Sequence, residues 1–267
     1  MQDGQRAGSS DIGLAQALDF QDRLNTHGWA RKGHEMTRKG IILPGSATSN
    51  PPTDCRLFQR LIAVFLVFLF LPIRTVADEP KIMVFLGDSL TAGYGLDPDE
   101  AYPALVQKKI DAAGLPWHVV NAGISGDTTA GGLRRLDWIL RQKADLFVIE
   151  LGANDGLRGI NPEVTHANLK KLIERIRERV AGVSIVLAGM RVPTNLGFEH
   201  TRDFAAIYPA LAKECGVALV PFLLEGVGGH PELNQADGIH PTAEGQSILA
   251  ENVWAVVGPL IGSVPAK

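Results

Sequence analysis

The sequence predicts a single α/β domain built on a parallel sheet, and three observations support this. Five short apolar runs rich in Val, Ile, Leu and Phe alternate with longer segments. The longer segments carry apolar residues at the helical period of 3.6. The short runs show little alternation of polar and apolar residues, which is typical of strands buried on both faces. Five strands alternating with five helices predict a three-layer sandwich with right-handed crossovers.

The predicted elements follow one another regularly from residue 82 onwards. The strands are expected at Ile82–Leu86, His118–Asn121, Leu146–Leu151, Val183–Ala188 and Val217–Phe222. The helices are expected at Tyr102–Ala113, Thr129–Gln142, Glu163–Val180, Arg202–Glu214 and Thr242–Val257. In open sheets of this kind, ligands bind beyond the carboxyl ends of the strands. Catalytic or ligand-binding residues are therefore expected directly after each strand.

A leader segment precedes the predicted domain. Residues 57–77 combine a positive start, an unbroken apolar run and a small residue at the exit, which predicts a secretory signal peptide. The run is shorter than the ~20 apolar residues of a membrane-spanning helix, and an uncleaved anchor is the alternative. Residues 1–56, rich in Gly, Ser, Thr and Pro, are expected to be a disordered extension or to lie upstream of the true translation start. The folded domain is then expected at 78–267, periplasmic or secreted.

Composition and charge exclude several functional classes. With 26 basic against 29 acidic side chains, the chain offers no general electrostatic attraction to nucleic acid. Two cysteines are too few for a disulfide framework or a structural zinc site. The seven histidines are scattered, and neither a zinc-protease motif nor a nucleotide-binding glycine motif occurs after a strand. We therefore expect no metal and no cofactor.

Polar motifs follow the first three strands and fill the last loop. Ser89 follows the first strand between glycines, where its hydroxyl can be exposed. Gly126 follows the second strand, and its backbone N–H can approach an anion closely. Asn154 follows the third strand, where its amide can point to the same place. Asp237 and His240 lie three residues apart before the last helix and can hydrogen-bond each other.

Each motif also has an ordinary structural explanation. Ser89 can cap a helix, Asn154 can belong to a turn, and His240 can be a surface loop residue. Together, however, the motifs supply a nucleophile, a base, a carboxylate that orients the base, and oxyanion donors. A serine hydroxyl is a weak nucleophile near neutral pH and needs such a base. The combination favours a serine hydrolase over four unrelated structural roles.

The same motifs resemble those of the SGNH (GDSL) hydrolases. The resemblance rests on GDSL at 87–90, GAND at 152–155 and DGIHP at 237–241. Two further stretches, ISGDTTAGGLRRL at 124–136 and AIYPALAKE at 206–214, are similar to the bacterial periplasmic arylesterase, thioesterase I and lysophospholipase I group. GAND stands where close relatives often have GGND, a difference of one methyl group. The resemblance implies a flavodoxin-like three-layer α/β/α sandwich with a five-stranded parallel sheet.

The resemblance also implies a role for each matching residue. Ser89 corresponds to the nucleophile, His240 to the base, and Asp237 to the residue that orients the base. The N–H groups of Ser89 and Gly126 and the amide of Asn154 correspond to an oxyanion hole. The implied activity is hydrolysis of small acyl esters or thioesters through an acyl-enzyme. The enzyme is expected to be a monomer that binds no nucleic acid and, after signal cleavage, no membrane.

Apolar loops at 90–97, 155–161 and 190–198 are expected to bind the acyl chain of the substrate. The residues expected to contact it are Leu90, Tyr94, Leu157, Ile160, Val192 and Leu196. One oxyanion mechanism serves thioesters, aryl esters and lysophospholipids, so the leaving group stays open. The motifs also allow a carbohydrate acetylesterase or a non-catalytic lipid- or sugar-binding protein of the same fold. An ordinary α/β-hydrolase is disfavoured because neither candidate serine is followed by the second glycine of Gly-x-Ser-x-Gly.

Overall fold

A computed structural model describes residues 79–262, and the central feature of this part is a five-stranded parallel sheet. Its strands are β1 (Lys81–Gly87), β2 (Trp117–Gly123), β3 (Leu146–Glu150), β4 (Ser184–Ala188) and β5 (Ala218–Val220). They lie in the order β2-β1-β3-β4-β5, and every neighbouring pair is parallel. The predicted α/β architecture is therefore confirmed, and all strand carboxyl ends meet at one edge.

Helices flank the sheet. They are α1 (Ser89–Ala92), α2 (Tyr102–Ala112), α3 (Thr129–Ile139), α4 (Ala153–Leu157), α5 (Pro162–Arg179), α6 (Phe198–Cys215) and α7 (Ala243–Gly262). α2 packs against α7, while α3 and α6 pack against α5. Local sequence explains the helix starts, because Thr128 caps α3, and Asn161 caps α5 immediately before Pro162.

The hydrophobic core lies on the three central strands. β3 is buried along its whole length, and β1 and β4 are exposed only at their first residues. β2, in contrast, is half-exposed throughout, so the expectation that all five runs are buried on both faces is wrong for this strand. The reason is its position, because β2 lies at the sheet edge and, within residues 79–262, pairs with β1 alone.

Element boundaries differ most from expectation at three places. α6 begins at Phe198 instead of Arg202, α7 continues to Gly262, and β5 is confined to Ala218–Val220. No helix within residues 79–262 is long and apolar enough to cross a membrane. The predicted signal peptide at 57–77 and the extension at 1–56 lie outside the described residues, so the domain boundary at residue 78 stays a prediction.

Candidate active site

The turn that carries Ser89 joins β1 to α1. The carboxylate of Asp88 accepts the N–H of Leu90 at 3.0 Å and so caps the short helix that Ser89 opens. Glycine is required at position 87, directly before Asp88, because a Cβ there would overlap the side chains of Thr91 and Glu150. The turn brings the Ser89 hydroxyl to the carboxyl edge of the sheet.

Ser89, His240 and Asp237 form a continuous chain of hydrogen bonds. Ser89 Oγ lies 2.9 Å from His240 Nε2, and His240 Nδ1 lies 2.7 Å from Asp237 Oδ2. The other oxygen of Asp237 accepts the backbone N–H groups of His240 at 3.0 Å and Ile239 at 2.9 Å. These bonds, the His240 backbone N–H first, lower the pKa of Asp237 to about 2. An ionised Asp237 favours the tautomer with the proton on Nδ1, which leaves Nε2 free to accept from Ser89.

Gln235 connects the loop that carries His240 to the loop that follows Ser89 and α1. Its side-chain amide donates to the carbonyls of Tyr94 at 2.7 Å and Pro241 at 3.0 Å, and its N–H donates to the carbonyl of His240 at 2.7 Å. The ring of Tyr94 lies over the imidazole of His240, with centroids 4.4 Å apart. Two segments that are distant in sequence are thereby held in a fixed relation around the serine.

The loop after β2 lies against the end of β1, because the N–H of Ile124 donates to the carbonyl of Gly87 at 3.1 Å. Gly126 adopts a φ of +79°, a left-handed conformation that favours glycine, and its carbonyl accepts from Arg158 at 3.0 Å. Asn154 Nδ2 donates to Asp88 Oδ2 at 3.0 Å and keeps its second N–H. Within residues 79–262, the N–H groups of Ser89 and Gly126 have no hydrogen-bond acceptor.

A pair of buried carboxyl groups, Asp88 and Glu150, lies beneath these donors. Both are fully buried, and Glu150 Oε2 accepts the N–H of Asp88 at 3.1 Å and the hydroxyl of Thr91 at 2.7 Å. Burial, reinforced by the charge of Asp88, raises the pKa of Glu150 well above its usual range. Burial also raises the pKa of Asp88, to about 6. Sequence reasoning gave Glu150 no role, although a glutamate ending the apolar run LFVIE is a signal of its own.

Arg135 is a second residue that sequence reasoning missed. From α3, its guanidinium donates to the carbonyls of Ala122 at 2.6 Å and Gly87 at 2.9 Å, and to Asp127 at 2.7 Å. One side chain therefore joins the ends of β1 and β2 to the loop that carries Gly126. Nothing in the local sequence separates Arg135 from its exposed neighbour Arg134.

The six residues predicted to bind substrate divide into two groups. Tyr94, Leu157 and Leu196 are exposed at the carboxyl edge, and Ile160 is half-buried nearby. Leu90 and Val192 are buried in the hydrophobic core, and this conformation exposes neither to a ligand. Three more exposed apolar side chains lie at the same edge, in loops or at a helix start: Ile124, Phe198 and Ile239.

Comparison with known proteins shows the family to which this chain is similar. Residues 85–248 match the GDSL-like lipase/acylhydrolase family. The chain is 43% identical to the esterase TesA of Pseudomonas aeruginosa over 194 residues, which cover 72% of this chain and 96% of the relative. It is 39% identical to the thioesterase 1/protease 1/lysophospholipase L1 of Escherichia coli over 206 residues, 76% of this chain and 97% of the relative.

Solved structures of similar proteins superpose on most of the described part of the chain. A crystal structure of TesA superposes with a TM-score of 0.65 at 45% identity, covering 67% of this chain and 99% of that chain. The SGNH-hydrolase family esterase AlinE4 superposes with a TM-score of 0.57 at 42% identity, covering 70% and 98%. Fold and matched motifs define an α/β enzyme that hydrolyses ester bonds. The chain belongs to the GDSL-like lipase/acylhydrolase family, as its motifs predict.

Proposed function

We propose that the chain is a serine esterase that cleaves carboxylic ester and thioester bonds of acyl substrates through an acyl-enzyme on Ser89. The observation that carries the proposal is the hydrogen-bond chain of 2.9 Å from Ser89 Oγ to His240 and 2.7 Å from His240 to Asp237. It gives the weak serine nucleophile a base, and gives the base a fixed orientation.

In the acylation step, His240 Nε2 takes the proton of the Ser89 hydroxyl while Oγ attacks the ester carbonyl carbon. The carbonyl oxygen becomes negative and accepts the N–H groups of Ser89 and Gly126 and the second amide N–H of Asn154. Collapse of this intermediate breaks the bond to the alcohol or thiol, which leaves with the proton from His240. Ionised Asp237 stabilises the imidazolium that forms in between.

Deacylation uses the same groups with water as the nucleophile. His240 takes a proton from the water while its oxygen attacks the acyl carbon on Ser89, and the negative carbonyl oxygen occupies the same donors. His240 then returns the proton to Ser89 Oγ as the acid leaves. The enzyme is regenerated, and each cycle consumes one ester and one water.

The apolar rim of the site supports an acyl substrate. Its exposed residues surround the carboxyl edge of the sheet: Tyr94, Ile124, Leu157, Leu196, Phe198 and Ile239. Acyl chains bind to apolar surface because burial removes that surface from water. Relatives named esterase, arylesterase and thioesterase 1/protease 1/lysophospholipase L1 favour the same substrate class, with an aryl ester, a thioester or a lysophospholipid as the candidate bond.

The first test replaces the nucleophile. Ser89→Ala should lower kcat on p-nitrophenyl esters by about 10³-fold or more while leaving the circular dichroism spectrum unchanged. Ser247→Ala is the matched control, because the Ser247 side chain is exposed on α7 and, among the described residues, hydrogen-bonds only the carbonyl of Ala243. Undiminished activity of Ser89→Ala refutes the proposed nucleophile.

A second test identifies the leaving group. Kinetics on p-nitrophenyl esters, acyl-CoA thioesters and lysophospholipids, each with a series of acyl lengths, give kcat/KM values that can be compared directly. A preference that follows acyl length whatever the leaving group places the specificity in the apolar rim. Turnover of short acetyl esters alone counts against the rim as an acyl-binding surface.

We also propose that the domain is exported behind the segment 57–77 and acts as a monomer, free of nucleic acid and membrane. The support for export is the positive, apolar and small-residue pattern of that segment. N-terminal sequencing of the exported protein should find Asp78 at its start. Retention of the segment in the mature protein would make it an anchor, and size-exclusion chromatography tests the monomer.

A further inference from the structure

The buried carboxyl pair Asp88 and Glu150 lies at the ends of adjacent strands, where Gly87 of β1 pairs with Glu150 of β3. No lysine or arginine of the described residues forms an ion pair with either carboxyl. The titratable groups that interact electrostatically with the pair are the buried phenols of Tyr102 and Tyr208 and the imidazole of His240. Two uncompensated negative charges in such a place are very costly, so the pair retains a proton.

The hydrogen bonds indicate that Glu150 carries this proton. Asp88 already accepts from the N–H of Leu90 and from the amide of Asn154, and both bonds favour its charged form. Glu150 Oε1, in contrast, is buried and has no hydrogen-bond partner among the described residues, which suits a neutral acid better than a carboxylate. Because Glu150 Oε2 already accepts the N–H of Asp88 and the hydroxyl of Thr91, a proton on Glu150 belongs on Oε1. The two side chains interact closely enough for this proton to be shared with the Asp88 carboxylate.

Whether the shared proton is on Glu150 or on Asp88 determines the orientation of the Asn154 side-chain amide. An ionised carboxylate can only accept, so Asp88 requires the NH₂ group of Asn154 to face it. The second N–H of the same nitrogen is then directed to the site as an oxyanion donor. A proton on Asp88 instead lets Asp88 donate to the amide oxygen of Asn154. The amide then turns over, and a donor in the site is lost.

We propose that Glu150 is a positioning residue of the oxyanion hole. As the neutral, proton-donating member of the buried pair, it keeps Asp88 an acceptor, and Asp88 thereby holds the Asn154 amide with an N–H toward the developing oxyanion. The inference rests on the proposed function, in which Asn154 is an oxyanion donor. Glu150 itself touches neither substrate nor reacting atoms and acts through its two partners.

The experiment is a double-mutant cycle on kcat. Glu150→Met removes the donor, and kcat should fall about tenfold or more in the wild-type background but less than about twofold in Asn154→Ala, because the residue it positions is already gone. KM should change little in either background. Glu150→Gln keeps a neutral donor and should recover kcat to within about threefold of the wild type.

A control substitution tests whether the loss of kcat is specific to Glu150. Asp145→Asn is the matched control, because Asp145 accepts the N–H of Ile82 at the opposite end of the same two strands. This variant should leave kcat unchanged. An equal loss from Glu150→Met in both backgrounds means a purely structural role and overturns the proposal. A Glu150→Gln variant as slow as Glu150→Met overturns it as well.

Infrared spectroscopy gives a readout that needs neither activity nor the methionine variant. The difference spectrum of wild type and Glu150→Gln at neutral pH should contain the carbonyl band of a protonated carboxylic acid, and absence of the band overturns the proposal. Ser89→Ala separates the two hypotheses. If Ser89→Ala remains active, the proposed function fails while the band persists. If Ser89→Ala is inactive and the band is absent, only the role of Glu150 fails.

Discussion

Arg135 Nη2 donates to the carbonyl of Gly87 at 2.9 Å, so a side chain from α3 holds the last residue of the strand that leads to Ser89. The same guanidinium donates to Ala122 and to the carboxylate of Asp127. Gly126, the proposed oxyanion donor, directly precedes Asp127 in this loop. The proposed nucleophile and one proposed oxyanion donor are therefore supported by the same side chain, which does not itself belong to the proposed site.

Arg135→Met should lower both stability and kcat. It removes one hydrogen bond from each of two strand-end carbonyls and the charged partner of the Asp127 carboxylate, which should cost about 2–3 kcal/mol of unfolding free energy. Urea denaturation measures the cost, and kcat should fall because the loops of Ser89 and Gly126 lose their common support. Arg134→Met, on the exposed side of the same helix, is the control. Equal effects of the two variants contradict the role given to Arg135.

Gly152→Ala should be strongly destabilising for two separate reasons. Gly152 has a φ of +121°, which side chains rarely adopt, and a Cβ there would overlap the hydroxyl of Tyr208. Gly182 has a φ of +74° with open space around it, so Gly182→Ala isolates the backbone strain. We expect a loss of about 1 kcal/mol for Gly182→Ala and about 3 kcal/mol for Gly152→Ala.

Adding Tyr208→Phe distinguishes the two contributions at Gly152. The substitution removes the oxygen that a Cβ at Gly152 would meet, so the double variant should recover part of the loss that Gly152→Ala causes alone. The hydrogen bond of Tyr208 to the carbonyl of Leu151, 3.1 Å long, is lost in both variants that carry Phe. Strictly additive losses in thermal unfolding would show that no overlap occurs.

Local pattern was enough to predict the order and type of the main elements, because buried parallel strands and amphipathic helices differ in periodicity. It could not predict that β2 is an edge strand, since strand order depends on tertiary packing. The proposed catalytic residues Ser89, Asp237 and His240 could be predicted from their turn positions and side-chain chemistry. The partners of Glu150 and Arg135 could not, because they come from distant segments that meet only in the folded sheet.

Glu150→Gln should change stability in a pH-dependent way. The pKa of Glu150 is raised by burial above its ordinary 4.5, so above that pH the unfolded chain releases a proton that the folded chain keeps. Stability from this group is therefore lost as pH rises from 4.5 toward the folded-state pKa. Glutamine cannot ionise, and the melting temperature of Glu150→Gln relative to wild type should rise as pH increases above 4.5. A difference independent of pH would be contrary to a raised pKa.

Asp237→Asn should show the opposite pH behaviour. Hydrogen bonds from the backbone and ring of His240 lower the pKa of Asp237 from 3.8 to about 2. Its stabilising contribution is present above the unfolded value and is lost as pH falls from 3.8 to about 2. The stability difference between wild type and Asp237→Asn, followed by denaturant titration, should shrink across that interval. A difference that persists undiminished at the acid end of the interval excludes this cause.

Phe198→Ser should affect long acyl substrates selectively. Phe198 is 79% exposed at the start of α6, and the guanidinium of Arg202 lies over its ring. If an acyl chain covers this ring, its removal should lower kcat/KM about tenfold for long chains and leave acetyl esters unaffected. Leu260→Ser, another exposed apolar residue far along α7, is the control. Equal effects on both chain lengths would place Phe198 outside the binding surface.

The separation of Ser89 and His240 by 151 positions has a consequence for biosynthesis. The proposed nucleophile follows the first strand of the described sheet, and the proposed base belongs to the last loop before α7. Under these roles, a nascent chain carries a serine without its base until nearly all of the domain has been made. Hydrolytic activity should then begin only when synthesis and folding of the domain are nearly complete, and chains that end before His240 should be inactive toward esters.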